Sequence, residues 1–204
     1  MNNIVKYIVT GLLVILPASL VAQNADLLDN FYEKFASNCI SIGCKYAIET
    51  DGISSKGDCK VEVQGTSYRM QGSGLDVFCD GESIWVLDPM TKEAIVEPVT
   101  DDSFSYMSNP ALLFLDMDKV FTVTSATVSG AGIKYNLSAG KSCGIVKAVL
   151  EIDKNSLLKT AEFTFDDGSV MKINVLSMQV QPLKAKESFA PGILSSEWII
   201  TDLR

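Results

Sequence analysis

The chain is 204 residues long, with 25 acidic against 17 basic side chains, a formal net charge of −8 and no histidine. Without an imidazole there is no Ser-His or Cys-His pair for nucleophilic catalysis, and an acidic chain has no electrostatic reason to bind nucleic acid or an anionic membrane surface. The length suits one domain with a sizeable core.

The first residues carry one base, Lys6, and no acid; Ile8 to Leu16 then form an apolar run interrupted only by Thr10 and Gly11. Pro17 ends it, and Ala18, Ser19 and Ala22 are small. A charged start, a short apolar stretch and small residues near a cleavage point are the signature of a secretory signal peptide. The alternative, a membrane anchor, needs ~20 apolar residues, more than this run supplies. The expectation is therefore a signal peptide over residues 1–22 and a single mature domain over 23–204. No cysteine closely follows the small residues, since the first is Cys39; the mature chain is expected to be soluble and not itself lipidated.

Asn24 to Asn38 reads as a helix. Leu27, Leu28, Phe31, Tyr32 and Phe35 recur at three- and four-residue intervals, with Asp29, Asn30, Glu33 and Lys34 on the other side. From Gly43 onward the period becomes two, with turn residues about every ten positions. Three antiparallel strands over roughly 58–63, 66–71 and 75–80, with Val63 paired to Thr66 and Met70 to Leu75, assign each side chain to a face. One face collects Cys59, Val61, Val63, Thr66, Tyr68, Met70, Leu75, Val77 and Cys79; the other is polar apart from Phe78. The sheet so formed has a wet and a dry side.

The alternation returns at Ile133, Tyr135 and Leu137 and at Met171, Ile173 and Val175. Further strand-like runs lie at 83–87, 93–99, 119–127, 145–152, 157–165 and 193–201, about ten strands in all, as in an up-and-down sheet, open or closed into a barrel. Between them Asn109-Pro110 marks a helix start, and Leu112, Leu113, Phe114 and Leu115 make that segment oily nearly all round. With the N-terminal helix it is the material available to cover the dry face, either filling it or leaving an apolar space.

The remaining chemistry is sparse. The acid pairs Asp101-Asp102 and Asp166-Asp167 sit beside turn signals and read as solvated loops. Asp116-Met117-Asp118 lacks the glycine and following acids of a calcium loop, and Gly130-Ala131-Gly132 opens no helix that could cradle phosphate. Asn136-Leu137-Ser138 fits a glycosylation sequon but falls within a strand. The five cysteines, Cys39, Cys44, Cys59, Cys79 and Cys143, contain no Cys-x-x-Cys spacing, so no metal site is expected. Cys59 and Cys79 share the dry face but are separated by a strand, ~9.5 Å, too far to bridge. Cys39 and Cys44 are the more plausible pair, because the helix ends there and the chain can fold back between them.

Asp80-Gly81-Glu82-Ser83-Ile84-Trp85-Val86-Leu87-Asp88-Pro89, followed by Lys92-Glu93-Ala94, resembles the periplasmic outer-membrane lipoprotein carrier family, LolA, in which an Asp-Gly turn enters a Trp-bearing strand. Gly57-Asp58, Tyr68-Arg69-Met70, Asn109-Pro110-Ala111-Leu112-Leu113, the hairpin from Leu158 to Val175 around Asp167-Gly168, and Phe189-Ala190-Pro191 resemble further family segments in the same order. Where the family usually has an Arg-Pro pair whose arginine holds the lid shut, this chain has Val63-Gln64, so it resembles a divergent branch.

The resemblance implies a mainly β fold: a strongly curved antiparallel half-barrel lidded by an N-terminal and a short internal helix. It implies a carrier, not an enzyme, that binds acyl chains of lipoproteins or related lipids. Its partners would be an inner-membrane lipoprotein-releasing ABC exporter and a transient outer-membrane acceptor, with no cofactor and no nucleic acid, and the protein would act as a monomer. The expected cavity and lid are Val63, Tyr68, Met70, Val77 and Trp85 with Leu112, Leu113 and Phe114. The alternative is a lipid-sensing or structural half-barrel module that binds a partner protein.

Overall fold

The computed structural model describes residues 18–100, 117–130, 132–140 and 144–204, with side chains of the first helix described from Asp26 onward. Helix α1 spans Ala18–Ser37. Six strands follow: β1 (Cys39–Thr50), β2 (Ile53–Gln64), β3 (Ser67–Gly72), β4 (Leu75–Cys79), β5 (Ser83–Asp88) and β6 (Glu93–Pro98). A single turn of helix, α2 (Met117–Val120), then precedes β7 (Phe121–Val128), β8 (Ile133–Ala139), β9 (Ile145–Ile152), β10 (Leu158–Phe165) and β11 (Val170–Gln181). A 3-10 turn at Lys186–Phe189 leads to β12 (Ile199–Asp202).

The twelve strands among the described residues form one curved, unclosed sheet in the order β12-β6-β5-β4-β3-β2-β1-β11-β10-β9-β8-β7. It consists of two meanders, β1 to β6 and β7 to β11, joined where β1 pairs with β11. The neighbours are antiparallel apart from β12, which lies parallel on β6. The half-barrel expected from the sequence is the fold observed.

The turns explain the register. Asp51-Gly52 closes β1–β2 and Ser73-Gly74 closes β3–β4; all four residues have positive φ, between 49° and 81°. Two-residue loops of this backbone match the twist of the flanking strands. Val63 pairs with Tyr68 and Met70 with Val77, so each observed pairing is two positions away from the expected one. A slip of one residue exchanges the faces, whereas a slip of two preserves them. The dry face therefore survives intact.

Helix α1 packs into the concavity against β1, β2 and β9. Leu28, Phe31 and Phe35 are buried on one side while Asp26, Asp29, Asn30 and Glu33 are exposed on the other. The rings of Phe31 and Phe35 lie 5.0 Å apart. The Asn38 side-chain amide donates to the Lys34 carbonyl at 3.2 Å, serving one of the acceptors a helix end leaves open.

Candidate functional site

The inner face is best followed across the strands. One ladder of directly opposed residues runs Ile40, Val63, Tyr68, Cys79 and Ile84. Its neighbour runs Ile42, Val61, Met70, Val77, Val86 and Ile95. Both are apolar because strand side chains alternate and the same face of each strand carries the apolar set. Cover along the second ladder is incomplete: Ile42 is 4 % and Val77 9 % exposed, but Val61, Met70 and Val86 are only half-buried, and Ile95, at the far end, is 43 % exposed.

Of the residues the sequence assigned to the cavity, Val63, Tyr68 and Val77 are buried on this face and Met70 is half-buried beside them. Burial first, and then the neighbouring Cys79, hold the Tyr68 hydroxyl above its ordinary range, so this part of the face stays uncharged. Leu112, Leu113 and Phe114 lie outside the described residues. Trp85 is on the opposite face. It pairs with Phe78 across β4–β5 and packs with Phe78, Leu87, Ala94, Leu194 and Trp198. The physical reason is parity: Val77 pairs with Val86, so the intervening partner of Phe78 must point outward with it. Ile84 and Val86 are the inward residues of that strand, and carrying the alternation of β4 across the Asp80–Glu82 turn would have found them.

The outer cluster is covered by the segment after β11. Lys184 is fixed there by Gln64, whose side chain accepts from the Lys184 N–H at 2.7 Å and donates to its carbonyl at 3.0 Å. The Lys184 ammonium meets Glu62 at 2.7 Å and Lys186 meets Glu82 at 2.6 Å. The Arg69 guanidinium stands 5.0 Å from the centre of the Phe78 ring, a cation–π contact. Thus Gln64 ties down a strap on the outside of the sheet, while Val63 contributes to the inside.

A second concavity, a groove of about 680 Å³, lies over β1, β2 and β8 to β11. Lys45, Lys56, Lys134 and Lys172 border it together with the acids Asp58 and Glu162, and Lys172 is further paired with Glu49 at 3.7 Å.

Cys39, Cys44, Cys59 and Cys79 carry no disulfide. The expected proximity of Cys39 to Cys44 does not occur, because no fold-back separates them. Both lie in β1 on opposite faces, and Cys44 instead opposes Cys59. Cys59 and Cys79 are separated by β3, in keeping with the expectation that they do not bridge. Among the described residues no three His, Cys, Asp or Glu side chains converge to hold a metal ion, and no described helix is long and apolar enough to cross a membrane.

No family model and no curated protein matches the chain. Solved structures do. An uncharacterized conserved protein from Thermus thermophilus superposes with a TM-score of 0.55 at 10% identity, over 87% of this chain and 98% of that one. A LolA superfamily protein from Nitrosomonas europaea gives 0.44 at 12% identity, over 82% and 97%. LprF from Mycobacterium bovis gives 0.45 at 10% identity, over 88% and 98%. The first of these likenesses shows a shared fold across nearly the whole of both chains.

Proposed function

We propose that this chain is an exported, non-enzymatic carrier that shields acyl chains of lipoproteins or related lipids on the inner face of its half-barrel. The observation that carries the reading is the ladder Val61, Met70, Val77, Val86 and Ile95, an apolar row left incompletely covered: only Val77 is buried, Val61, Met70 and Val86 are half-buried, and Ile95 is 43 % exposed. Removing acyl methylenes from water is worth ~0.8 kcal/mol each, so such a face supplies affinity without a catalyst. The site proposed is Val63, Tyr68, Met70 and Val77 with Ile84 and Val86. The charged start, short apolar run and small residues that follow it support residues 1–22 as a signal peptide, and the LolA-like motifs support residues 23–204 as one periplasmic domain that transfers cargo from an inner-membrane ABC exporter to an outer-membrane acceptor.

Uptake of a fluorescent fatty-acyl probe tests the proposal. The wild type should bind it saturably, and Val86→Trp should lower uptake while leaving the unfolding midpoint within the error of the wild type. A wild type that binds no probe sinks the carrier reading.

The second reading, a module that docks a partner protein, draws on the lysine-bordered outer groove. It requires an acidic partner, and binding that weakens steeply with salt.

A further inference from the structure

Cys44 and Cys59 oppose each other across β1 and β2, on the inner face, with their sulfurs 2.6 Å apart. Directly paired strand residues hold their Cα atoms ~4.5–5.5 Å apart, within the ~4.4–6.8 Å that a disulfide spans. Neither of the other described cysteines competes. Cys39 is on the outer face, and Cys79 lies two strands from Cys59.

The position is mechanically distinct. Strand β3 ends at Gly72, which pairs with Cys59. Beyond that rung, residues 53–58 of β2 pair only with β1 and run exposed or half-exposed to the Asp51-Gly52 turn. Cys44 and Cys59 therefore sit where the ribbon leaves the β2–β3 ladder. Gly72 also leaves the flank of Cys59 open, since a Cβ there would stand 3.1 Å from the Cys59 Cβ.

We propose that Cys44 and Cys59 form a disulfide that clamps the base of the β1–β2 ribbon. The oxidant is a disulfide donor, protein or glutathione. The Cys59 thiolate attacks one donor sulfur, giving a mixed disulfide and releasing a donor thiolate. Cys44 then loses its proton and attacks the Cys59 sulfur, releasing the second donor thiolate. Two protons and two electrons pass from the cysteines to the donor, which leaves as two thiols. Cys59 is the attacking group because it is half-exposed whereas Cys44 is buried. A hydrogen bond from the Cys44 thiol holds Cys59 below the ordinary thiol range and, with burial, keeps Cys44 above it.

The test is independent of the carrier reading, since a protein that takes up no acyl probe can still close this bond. The full chain is equilibrated with a glutathione–glutathione disulfide buffer, unfolded in alkylating agent, digested and weighed. The expected product is one cross-linked peptide pair joining Cys44 to Cys59, lighter by two hydrogens, with Cys39 and Cys79 alkylated. Reduction should lower the melting temperature by about 5–10 °C, the range for a short closed loop in a domain of this size. Cys59→Ser should melt at the reduced temperature and no longer respond to reductant. Alkylation of both Cys44 and Cys59, or a cross-link from either to another cysteine, overturns the proposal.

Discussion

The two ends of the inner face follow the same alternation and reach different outcomes. On β8 to β10 the inward side chains are closed over: Tyr135, Leu137, Leu150, Ile152, Leu158 and Phe163 are all 2 % exposed or less. On β3 to β6 Tyr68 and Cys79 are equally buried, but Met70, Ile84 and Val86 are half-buried, and Leu75 and Ile95 are 38 % and 43 % exposed. Composition does not separate the regions; cover does. Leu28, Phe31 and Phe35 descend from α1 into the concavity, and β9 is one of the strands α1 meets. Burial at ~25 cal/mol per Å² makes the closed half a source of stability and leaves the open half with affinity unspent.

The sharpest way to break this comparison is in the closed half. Phe163 is 0 % exposed, so Phe163→Ala should cost about 3–5 kcal/mol in chemical denaturation. A loss as small as that of a half-exposed residue would mean that the two halves are packed alike.

A smaller effect is expected at the β9–β10 turn that supports the closed half. Burial pushes the Asp153 carboxyl up, but the N–H groups of Leu157 and Asn155, at 3.0 and 2.8 Å, and the Lys159 ammonium at 3.2 Å outweigh it and hold it below the ordinary carboxylate range. Asp153→Ala should cost about 2–3 kcal/mol at neutral pH. Because the folded value is depressed, this contribution is present above the unfolded value of about 3.9 and is lost as pH falls through the folded one. A pH series of denaturation midpoints should therefore show a shallower acid decline in the variant than in the wild type.

The smallest change in stability should accompany the largest change in binding. Met70→Ala on the open half should cost about 1 kcal/mol, less than a fully buried methionine, and weaken retention of the acyl probe. Trp85→Ala, on the other side of the same sheet, should leave retention unchanged. If Trp85→Ala reduces retention as much as Met70→Ala, the distinction between the faces fails in binding.

Much of this architecture can be read from the residues, and the places where reading stops have physical causes. The period of Leu27 to Phe35 marks the side of α1 that is buried, though the observed helix begins before Asn24. The faces of β2 to β4 come through an error in register because two-residue turns displace partners by an even number. Residues 53–58 carry Ser54, Ser55 and Lys56, with no apolar alternation, so the outward extension of β2 leaves no trace in the pattern. Trp85 invites assignment to a cavity by size alone, and only its cross-strand partner shows otherwise. The parallel strand β12 pairs with residues more than a hundred positions earlier, a contact no local period encodes. Cys44 and Cys59 are 15 positions apart and meet only because Asp51-Gly52 closes a hairpin between them.

The seam between β1 and β11 has a consequence in time. Each meander is built from neighbours in sequence, and hairpins of that kind close within microseconds. Strand β1, by contrast, waits for a partner about 130 residues downstream, and loop closure over such a span is the step that slows β-rich chains. As the polypeptide emerges, β1, already paired with β2 on one side, therefore presents an open edge on the other, Cys39–Thr50 with Ile40, Ile42 and Ile48, the kind of edge that recruits stray strands until its own arrives. The rate at which β11 docks sets how long this chain is exposed to that hazard.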